Sequence, residues 1–223
     1  MINFPNVFSG TNVTLEINFQ NVAKDELLSI NRVVNDLMRE NILETNVEKL
    51  YVTFSSMIST INDKETINYH EVIVKVPVVI NSKEYIFPII SFVDDECSFL
   101  RGTYLGHYKR LLNPGNIYIS DDKVELKSSI LNIECKYSNK MKNRIAKVDF
   151  EKPFVLNKIV GNSQRPVDQS YHTLRISEYK QKYLRKFENI EEAKFVFFKK
   201  KYSIQNIWIS EDSFILEGLC NLE

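Results

Sequence analysis

Residues 69–93 read YHEVIVKVPVVINSKEYIFPIISFV. Two runs of β-branched and aromatic residues flank the polar segment Asn81-Ser82-Lys83. Runs of this kind on either side of a polar turn are typical of a β-hairpin. We therefore predict one strand over residues 69–80, a turn at 81–83 and a second strand over 84–93.

Strand patterns continue on both sides of this hairpin. Apolar and polar residues alternate from Val13 to Phe19, which is the period of a half-buried strand. Residues 161–166 form the clearest loop. Further strands are predicted over residues 50–57, 117–120, 123–137, 145–150, 154–160, 171–179, 194–198, 203–209 and 214–219.

Helical spacing occurs in only two segments. Apolar residues fall on one face over residues 25–40, with acidic residues at the N-terminal end, where the helix dipole favours them. A second helix is predicted over residues 99–112, and Asn113-Pro114-Gly115 ends it. We expect one α+β domain over residues 1–223 that is mostly antiparallel β. Such a sheet tends to close into a barrel or cone that can hold one ligand.

Composition limits the partners and the compartment. The 29 basic residues balance the 29 acidic ones, so no net field would attract nucleic acid or an anionic membrane. Three widely separated cysteines argue against a disulfide framework or a structural zinc site. The sequence shows neither a signal-peptide pattern nor an apolar run long enough for a bilayer. We expect a cytoplasmic protein with no membrane or nucleic-acid partner.

The common catalytic signatures are absent. The sequence has no Gly-rich phosphate loop, no GxSxG and no HExxH motif, so we predict neither a cofactor nor a metal. His70, His107 and His172 are isolated, which favours structural or surface roles. Cys97 is interpreted as a packing residue rather than a nucleophile.

Lys109 and Arg110 form the one pattern that suggests chemistry. Adjacent cations in an otherwise apolar helix most often extend into solvent. The alternative is a reactive amine, because burial and a neighbouring positive charge both disfavour the ammonium form of a lysine, whose ordinary pKa is about 10.4. The pattern alone favours the first interpretation.

Several short motifs resemble the acetoacetate decarboxylase family. They are Tyr69-His70-Glu71, Pro77, Phe92-Val93-Asp94-Asp95-Glu96, Gly102 and Tyr108-Lys109-Arg110-Leu111. In that family a glutamate-bearing strand pairs with the next strand, and an Asp-Asn-Glu-like corner precedes a segment that ends in Tyr-Pro-Lys-Lys-Leu. Residues 153–160, 161–166 and 171–178 are also similar to the end of the family's chain.

The resemblance implies a fold and a reaction. It implies an acetoacetate decarboxylase-like β-barrel or cone, a homo-oligomer and a small keto acid as substrate. Lys109 would form a Schiff base with the ketone, Arg110 would be its cationic neighbour, and Glu71 would match an active-site glutamate. Tyr108 and Ser56 are the candidate substrate-binding residues.

The sequence departs from the family pattern at three places. A second family glutamate falls at Ser56, and an arginine near the family's N-terminus falls at Asn12 or Val13. The proline before the lysine pair is missing, so an ungapped alignment places Arg110 at the nucleophile's position.

Two functions therefore remain open. One is a Schiff-base-forming lyase of the decarboxylase, aldolase, dehydratase or cyclase type. The other is a catalytically inactive small-molecule-binding or scaffold protein, because arginine cannot form an imine. The deciding feature is whether Lys109 points into an apolar cavity beside Glu71, whose strand face is otherwise expected to be exposed.

Overall fold

The computed structural model describes residues 4–18, 29–30, 49–61, 65–138, 141–142, 152–162, 165–187, 190–197 and 199–222. Fourteen strands and one helix lie within these ranges. The strands are β1 (Asn6–Asn18), β2 (Lys49–Ile61), β3 (Glu65–Ile80), β4 (Lys83–Val93), β5 (Lys109–Leu111), β6 (Ile117–Ile119), β7 (Lys123–Lys127), β8 (Leu131–Tyr137), β9 (Met141–Lys142), β10 (Val155–Asn162), β11 (Arg165–Phe187), β12 (Ile190–Phe197), β13 (Lys200–Tyr202) and β14 (Ile204–Asn221). The helix is α1 (Glu96–Leu105).

The strands form two sheets. The larger sheet has the order β10-β11-β14-β1-β2-β3-β4-β5, with β9 paired to β11, and it curls into a half-barrel. The smaller sheet has the order β13-β12-β8-β7-β6. All pairings are antiparallel except that of β4 with β5. The predicted fold class, mostly antiparallel β with few helices, is confirmed.

The main core lies between the two sheets. Alternate residues of β3 from Val72 to Val78 are at most 1% exposed, and they share a cluster with Leu126, Ile133 and Phe195 of the smaller sheet. The other face of β3 carries Glu71 and Lys75, as the alternation predicts. That face is not exposed, because Glu71 and Lys75 are also buried. The half-barrel therefore has a dry outer core and a second, inner face that contains charges.

The predicted hairpin is confirmed. Strands β3 and β4 pair antiparallel, and Asn81 and Ser82 form the connecting turn with φ of 49° and 63°. Positive φ at both turn residues matches the right-handed twist of the flanking strands. The turn is one residue shorter than the predicted 81–83 segment, because Lys83 already belongs to β4.

Several other strands and one loop have bounds that differ from the predicted ones. The strand predicted over residues 123–137 is interrupted at 128–130, and those predicted over 203–209 and 214–219 are one strand, β14. The loop predicted at 161–166 is shorter, because β10 extends to Asn162 and β11 begins at Arg165. The predicted strand over 145–150 lies outside the described residues, and so does the predicted helix over residues 25–40 except for residues 29–30, which form a turn.

The helix predicted over residues 99–112 is wrong in its bounds. Helix α1 begins after Asp95, whose carboxylate accepts a 2.7 Å hydrogen bond from the backbone N–H of Ser98, and it ends at Gly106 with φ of 100°. The apolar spacing was misleading, since Leu100 and Tyr104 are 65% and 52% exposed. No helix among the described residues is long and apolar enough to cross a membrane.

Candidate active site

Strand β5 determines which residue of the Lys109–Arg110 pair points inward. It pairs parallel with β4, with Lys109 opposite Ser91 and Arg110 opposite Phe92. Successive side chains of a strand point to opposite faces of the sheet. The Lys109 side chain points to the inner face and is only 6% exposed. Arg110 is absent from the lining of the inner cavity.

The Lys109 amine forms a buried ion pair with Glu71. Its Nζ lies 2.6 Å from Oε1 of Glu71, whose side chain is 10% exposed. Because β4 lies between β3 and β5, the lysine side chain extends over β4 to reach this carboxylate. Nζ also donates a 3.3 Å hydrogen bond to Oγ of Ser98 on the first turn of α1. Strand β3 and helix α1 thus hold the amine in place from two sides.

Gly102 leaves the space that the lysine side chain occupies. A Cβ atom built at Gly102 would lie 1.9 Å from Cε and 2.7 Å from Nζ of Lys109. No real Cβ tolerates such distances, so a larger residue at this position would displace the amine. A glycine at position 102 of α1 is therefore a requirement for the position of Lys109.

Lys109 and Glu71 line a cavity of about 520 Å³ on the inner face of the half-barrel. This volume is typical of small-molecule sites. Residues of β1, β2, β3 and β14 form one wall, and α1, the 152–154 segment and β11 form the others. Phe8, Met57, Leu105, Phe154 and Leu216 supply apolar surface.

A polar row crosses the sheet from the Lys109–Glu71 pair. Glu71 is opposite Ser55, Ser55 is opposite Asn12, and Asn12 is opposite Ser210. All four side chains line the cavity. Ser55 donates a 2.6 Å hydrogen bond to Oδ1 of Asn12, which fixes the orientation of the amide. The inner face is thus polar along one line and apolar beside it.

Asp212 lies at the far end of this row. Its Oδ2 accepts hydrogen bonds from Nδ2 of Asn12 at 2.7 Å and from Oγ of Ser210 at 2.8 Å. Its Oδ1 accepts a longer 3.2 Å bond from the hydroxyl of Tyr179, which lies at the exposed edge of the cavity. This carboxylate is the second anion of the wall, after Glu71.

Tyr69 and His107 are neutral groups of the same cavity. Burial and the negative charge of Glu71 raise the pKa of Tyr69, while a hydrogen bond with Ser98 opposes the shift. Burial and the charge of Lys109 lower the pKa of His107 to about 3. The Nδ1 atom of His107 is buried and has no hydrogen-bond partner among the described residues. A neutral phenol and a neutral imidazole are therefore available beside the ion pair.

Three further cations lie in the wall. Lys75 is over the ring of Phe154 at 5.4 Å, and Lys152 pairs with Glu84 at 2.7 Å. Arg101 of α1 makes a long 3.4 Å hydrogen bond to Ser59 and lies 5.9 Å from the ring centroid of Phe8. The arginine therefore keeps donors for a bound anion.

Comparisons with known proteins give matches only among solved structures. No family model and no curated sequence matches this chain. The enduracididine biosynthesis enzyme MppR complexed with pyruvate aligns with a TM-score of 0.71 at 11% identity, over 100% of this chain and 92% of that one. Acetoacetate decarboxylase from Legionella pneumophila aligns at 0.68 and 14% identity, over 100% and 88%. An acetoacetate decarboxylase-like enzyme from Sphingomonas wittichii aligns at 0.67 and 13%, over 100% and 94%.

This chain has the acetoacetate decarboxylase fold. The expectation drawn from the short motifs is confirmed at the level of the fold. At 10–15% identity the likeness establishes architecture alone. The chemistry depends on the residues of the cavity, because one fold can carry different functions.

The structure brings together two of the five predicted site residues. Lys109 and Glu71 are in contact, so Lys109 is the member of the pair that enters the cavity of this acetoacetate decarboxylase fold. Arg110, Tyr108 and Ser56 do not line it. Ser56 is exposed, because the strand alternation directs Ser55 inward instead.

Sequence reasoning missed several cavity residues. His107 was interpreted as structural, although its position two residues before Lys109 was a usable signal. The family arginine falls at Asn12 or Val13 in the sequence, and the structure shows that Asn12 lines the cavity whereas Val13 is in the core. Tyr69 belongs to the Tyr69-His70-Glu71 motif, but the resemblance implies no role for it. Asp212 had no local signal, because its partner Asn12 is 200 residues away.

Proposed function

We propose that this protein is a lyase that forms an imine between Lys109 and the ketone of a small keto acid. The observation that supports it is a buried amine, 2.6 Å from a buried carboxylate, inside a cavity of about 520 Å³. Lysine amines act on carbonyl substrates in this way when a dry site or a nearby group makes the neutral form accessible.

The Lys109–Glu71 pair can supply that neutral amine. Moving one proton from the ammonium to the carboxylate converts two buried charges into an amine and a carboxylic acid. Nζ of Lys109 and Oε1 of Glu71 are only 2.6 Å apart, which is close enough for a direct proton transfer. Glu71 then holds a proton where the carbonyl oxygen needs one.

The chemical steps follow from this arrangement. The amine nitrogen attacks the carbonyl carbon, and the carbonyl oxygen leaves as water after it has gained two protons. With a β-keto acid, the bond to the carboxylate carbon then breaks, carbon dioxide leaves, and the electron pair moves into the protonated imine to give an enamine. A proton adds to the enamine carbon, and water releases the product ketone and the free amine.

Arg101 is the residue that we assign to the substrate carboxylate. Its guanidinium lines the cavity and has donors beyond its single long bond to Ser59. Guanidinium groups bind carboxylates through two parallel hydrogen bonds. This contact would orient the keto group towards Lys109.

One observation favours the alternative of a binding protein without catalysis. Arg110, the expected cationic neighbour, does not line the cavity, and the nearest charge to Lys109 is the anion Glu71. An anion favours the ammonium form. A site of this kind would bind keto acids through charge and hydrogen bonds without forming an imine.

Deuterium exchange distinguishes the two functions. Imine and enamine formation in D₂O replaces the methyl hydrogens of acetone or pyruvate with deuterium, which proton NMR follows over time. We expect exchange above the uncatalysed rate with the protein and none above that rate with Lys109→Ala. The surface variant Lys182→Ala is the matched control, because Lys182 pairs with Glu211 outside the cavity. Equal exchange by Lys109→Ala would contradict the proposal.

A further inference from the structure

Asp212 has no counter-ion among the described residues, although it lies in a cavity that contains four cations. Its three hydrogen-bond donors are Asn12, Ser210 and Tyr179, and all three are neutral. Within the described ranges, no lysine, arginine or histidine forms an ion pair with it. Glu71, the other anion of the wall, has Lys109 as its partner.

The Asp212 carboxylate has acceptor capacity left. A carboxylate offers about four acceptor positions. Oδ2 has two short donors, whereas Oδ1 has only the 3.2 Å bond from the half-exposed Tyr179. Asn12 and Ser210 therefore fix the direction of the carboxylate and leave Oδ1 for a ligand.

The residues that hold Asp212 bring no positive charge that could bind an anion at this end of the cavity. The resemblance placed a family arginine at Asn12 or Val13, and only Asn12 faces the cavity. One N–H of its amide binds Asp212, and its amide oxygen accepts from Ser55, so Asn12 brings no positive charge to this end of the cavity. A ligand carboxylate here would meet a negative charge, while an N–H-bearing cation would meet a prepared acceptor.

We propose that Asp212 binds a positively charged nitrogen group of the substrate. The substrate is then a keto acid with an ammonium-type group at the end remote from the ketone. This second statement rests on the proposed imine function, whereas the cation subsite stands on the geometry of Asp212 alone.

The distance between strands β3 and β14 sets the length of such a substrate. Glu71 and Ser210 are on β3 and β14, with β2 and β1 between them. Three inter-strand spacings amount to about 14 Å between the backbones. The side chains of Lys109 and Asp212 extend into the cavity and shorten this span. We therefore choose test ligands in which one benzene ring separates the two functional groups.

Equilibrium binding of three small ligands tests the subsite without imine chemistry. 4-Methylbenzylamine, 4-methylbenzyl alcohol and 4-methylbenzoate share one shape and differ in charge, and none has a ketone. We expect the amine, as its ammonium form at neutral pH, to bind at least about tenfold more tightly than the other two by calorimetry. Asp212→Asn should remove that preference, while Glu211→Gln, a matched neighbour that pairs with Lys182 at the surface, should keep it.

The same series with a keto acid group connects the subsite to the reaction. Phenylpyruvates with a para aminomethyl, methyl or carboxylate group cannot cyclise and can be trapped on lysine with borohydride. Of the three compounds, the aminomethyl compound should reach half-maximal labelling of Lys109 at the lowest concentration. Asp212→Asn should remove this advantage, while Glu211→Gln should keep it.

The outcomes separate the two proposals. Tight binding of the amine without any adduct from the three phenylpyruvates would support the cation subsite and contradict the imine function. Adducts that form equally with all three, together with equal binding of amine, alcohol and benzoate, would overturn the subsite and leave the imine function standing. The order of affinity of the three ligands for the unmodified protein distinguishes these outcomes even if Asp212→Asn does not fold.

Discussion

At the scale of single residues, the candidate site depends on three residues that come from three elements. Lys109 supplies the amine, Glu71 supplies the carboxylate, and Gly102 leaves the space between helix and strand that the lysine needs. The sequence allowed a prediction of Lys109 and Glu71, because both belong to short motifs. It did not reveal the role of Gly102, since only the packed structure shows which atoms lie against it.

Gly102→Ala tests this space. The added methyl group would overlap Cε and Nζ of Lys109, so the amine must move away from Glu71 and Ser98. We expect imine formation to fall at least about tenfold, with an overpacking cost of about 1–3 kcal/mol in the free energy of unfolding. Borohydride labelling and thermal melting measure the two effects. Thr103→Ala, at an exposed position of the same helix, is the control, and equal labelling of both variants would show that the space at Gly102 is not needed.

Glu71→Gln tests the proton-transfer role. The amide keeps the shape of the side chain and removes its ability to take the proton from Lys109. General acid–base contributions are typically about 10²–10⁴-fold, so we expect the initial rate of imine formation to fall by at least about a hundredfold. Glu192→Gln, which alters an exposed pair with Lys136 outside the cavity, is the comparison for effects of charge loss alone. A Glu71→Gln rate within a factor of about three of the unmodified protein would exclude this role.

The buried, neutral His107 should make the folded protein less stable in acid. Its pKa falls from 6.5 to about 3 in the folded protein, so the unfolded chain binds a proton between these pH values that the folded chain does not. The free energy of unfolding should therefore fall as the pH falls below about 6.5, by up to about 1.36 kcal/mol per unit. Urea denaturation at pH 7, 6, 5 and 4 measures this slope. His107→Gln should be less sensitive to acid over that window, and an unchanged slope would contradict the buried, neutral imidazole.

At the scale of elements, the short strand β5 decides the chemistry. Residues 109–111 pair with β4 instead of continuing α1, so Lys109 and Arg110 point to opposite faces. In the predicted helix both cations would have been on neighbouring positions of one turn. The apolar spacing of residues 99–112 gave no sign that the helix ends at Leu105. Two of the spaced residues, Leu100 and Tyr104, are exposed, so their spacing does not reflect packing in a core. The signal that was available is Gly106, which ends the helix with a positive φ.

Exchanging the two cations tests this alternation. In the double variant Lys109→Arg with Arg110→Lys, the composition and the net charge are unchanged, and the amine moves to the face that does not line the cavity. We expect no imine on position 110 and no deuterium exchange above background. Imine formation by the exchanged variant would show that position 110 can reach the substrate, which the strand geometry rules out.

At the scale of the whole molecule, the half-barrel separates two faces with different tasks. The outer face packs in the core between the two sheets and includes alternate residues of β3 from Val72 to Val78. The alternation of apolar residues along the sequence predicts this face directly. The inner face combines residues that are far apart in the chain, such as Asn12 and Asp212. Local patterns predicted the strands and the hairpin, but no local pattern specifies which distant strands become neighbours. Asp212 could therefore be found only from the sheet order β11-β14-β1-β2.

The proposed function depends above all on an imine between the buried amine of Lys109 and a ketone inside this cavity. Borohydride is added to the protein with acetoacetate, pyruvate or a larger keto acid, and the modified lysine is located by peptide mass spectrometry. We expect a reduced adduct on the peptide that contains Lys109, with no adduct in Lys109→Ala and a normal yield in Lys182→Ala. No adduct with any keto acid, or an adduct that persists on another lysine in Lys109→Ala, would contradict the imine.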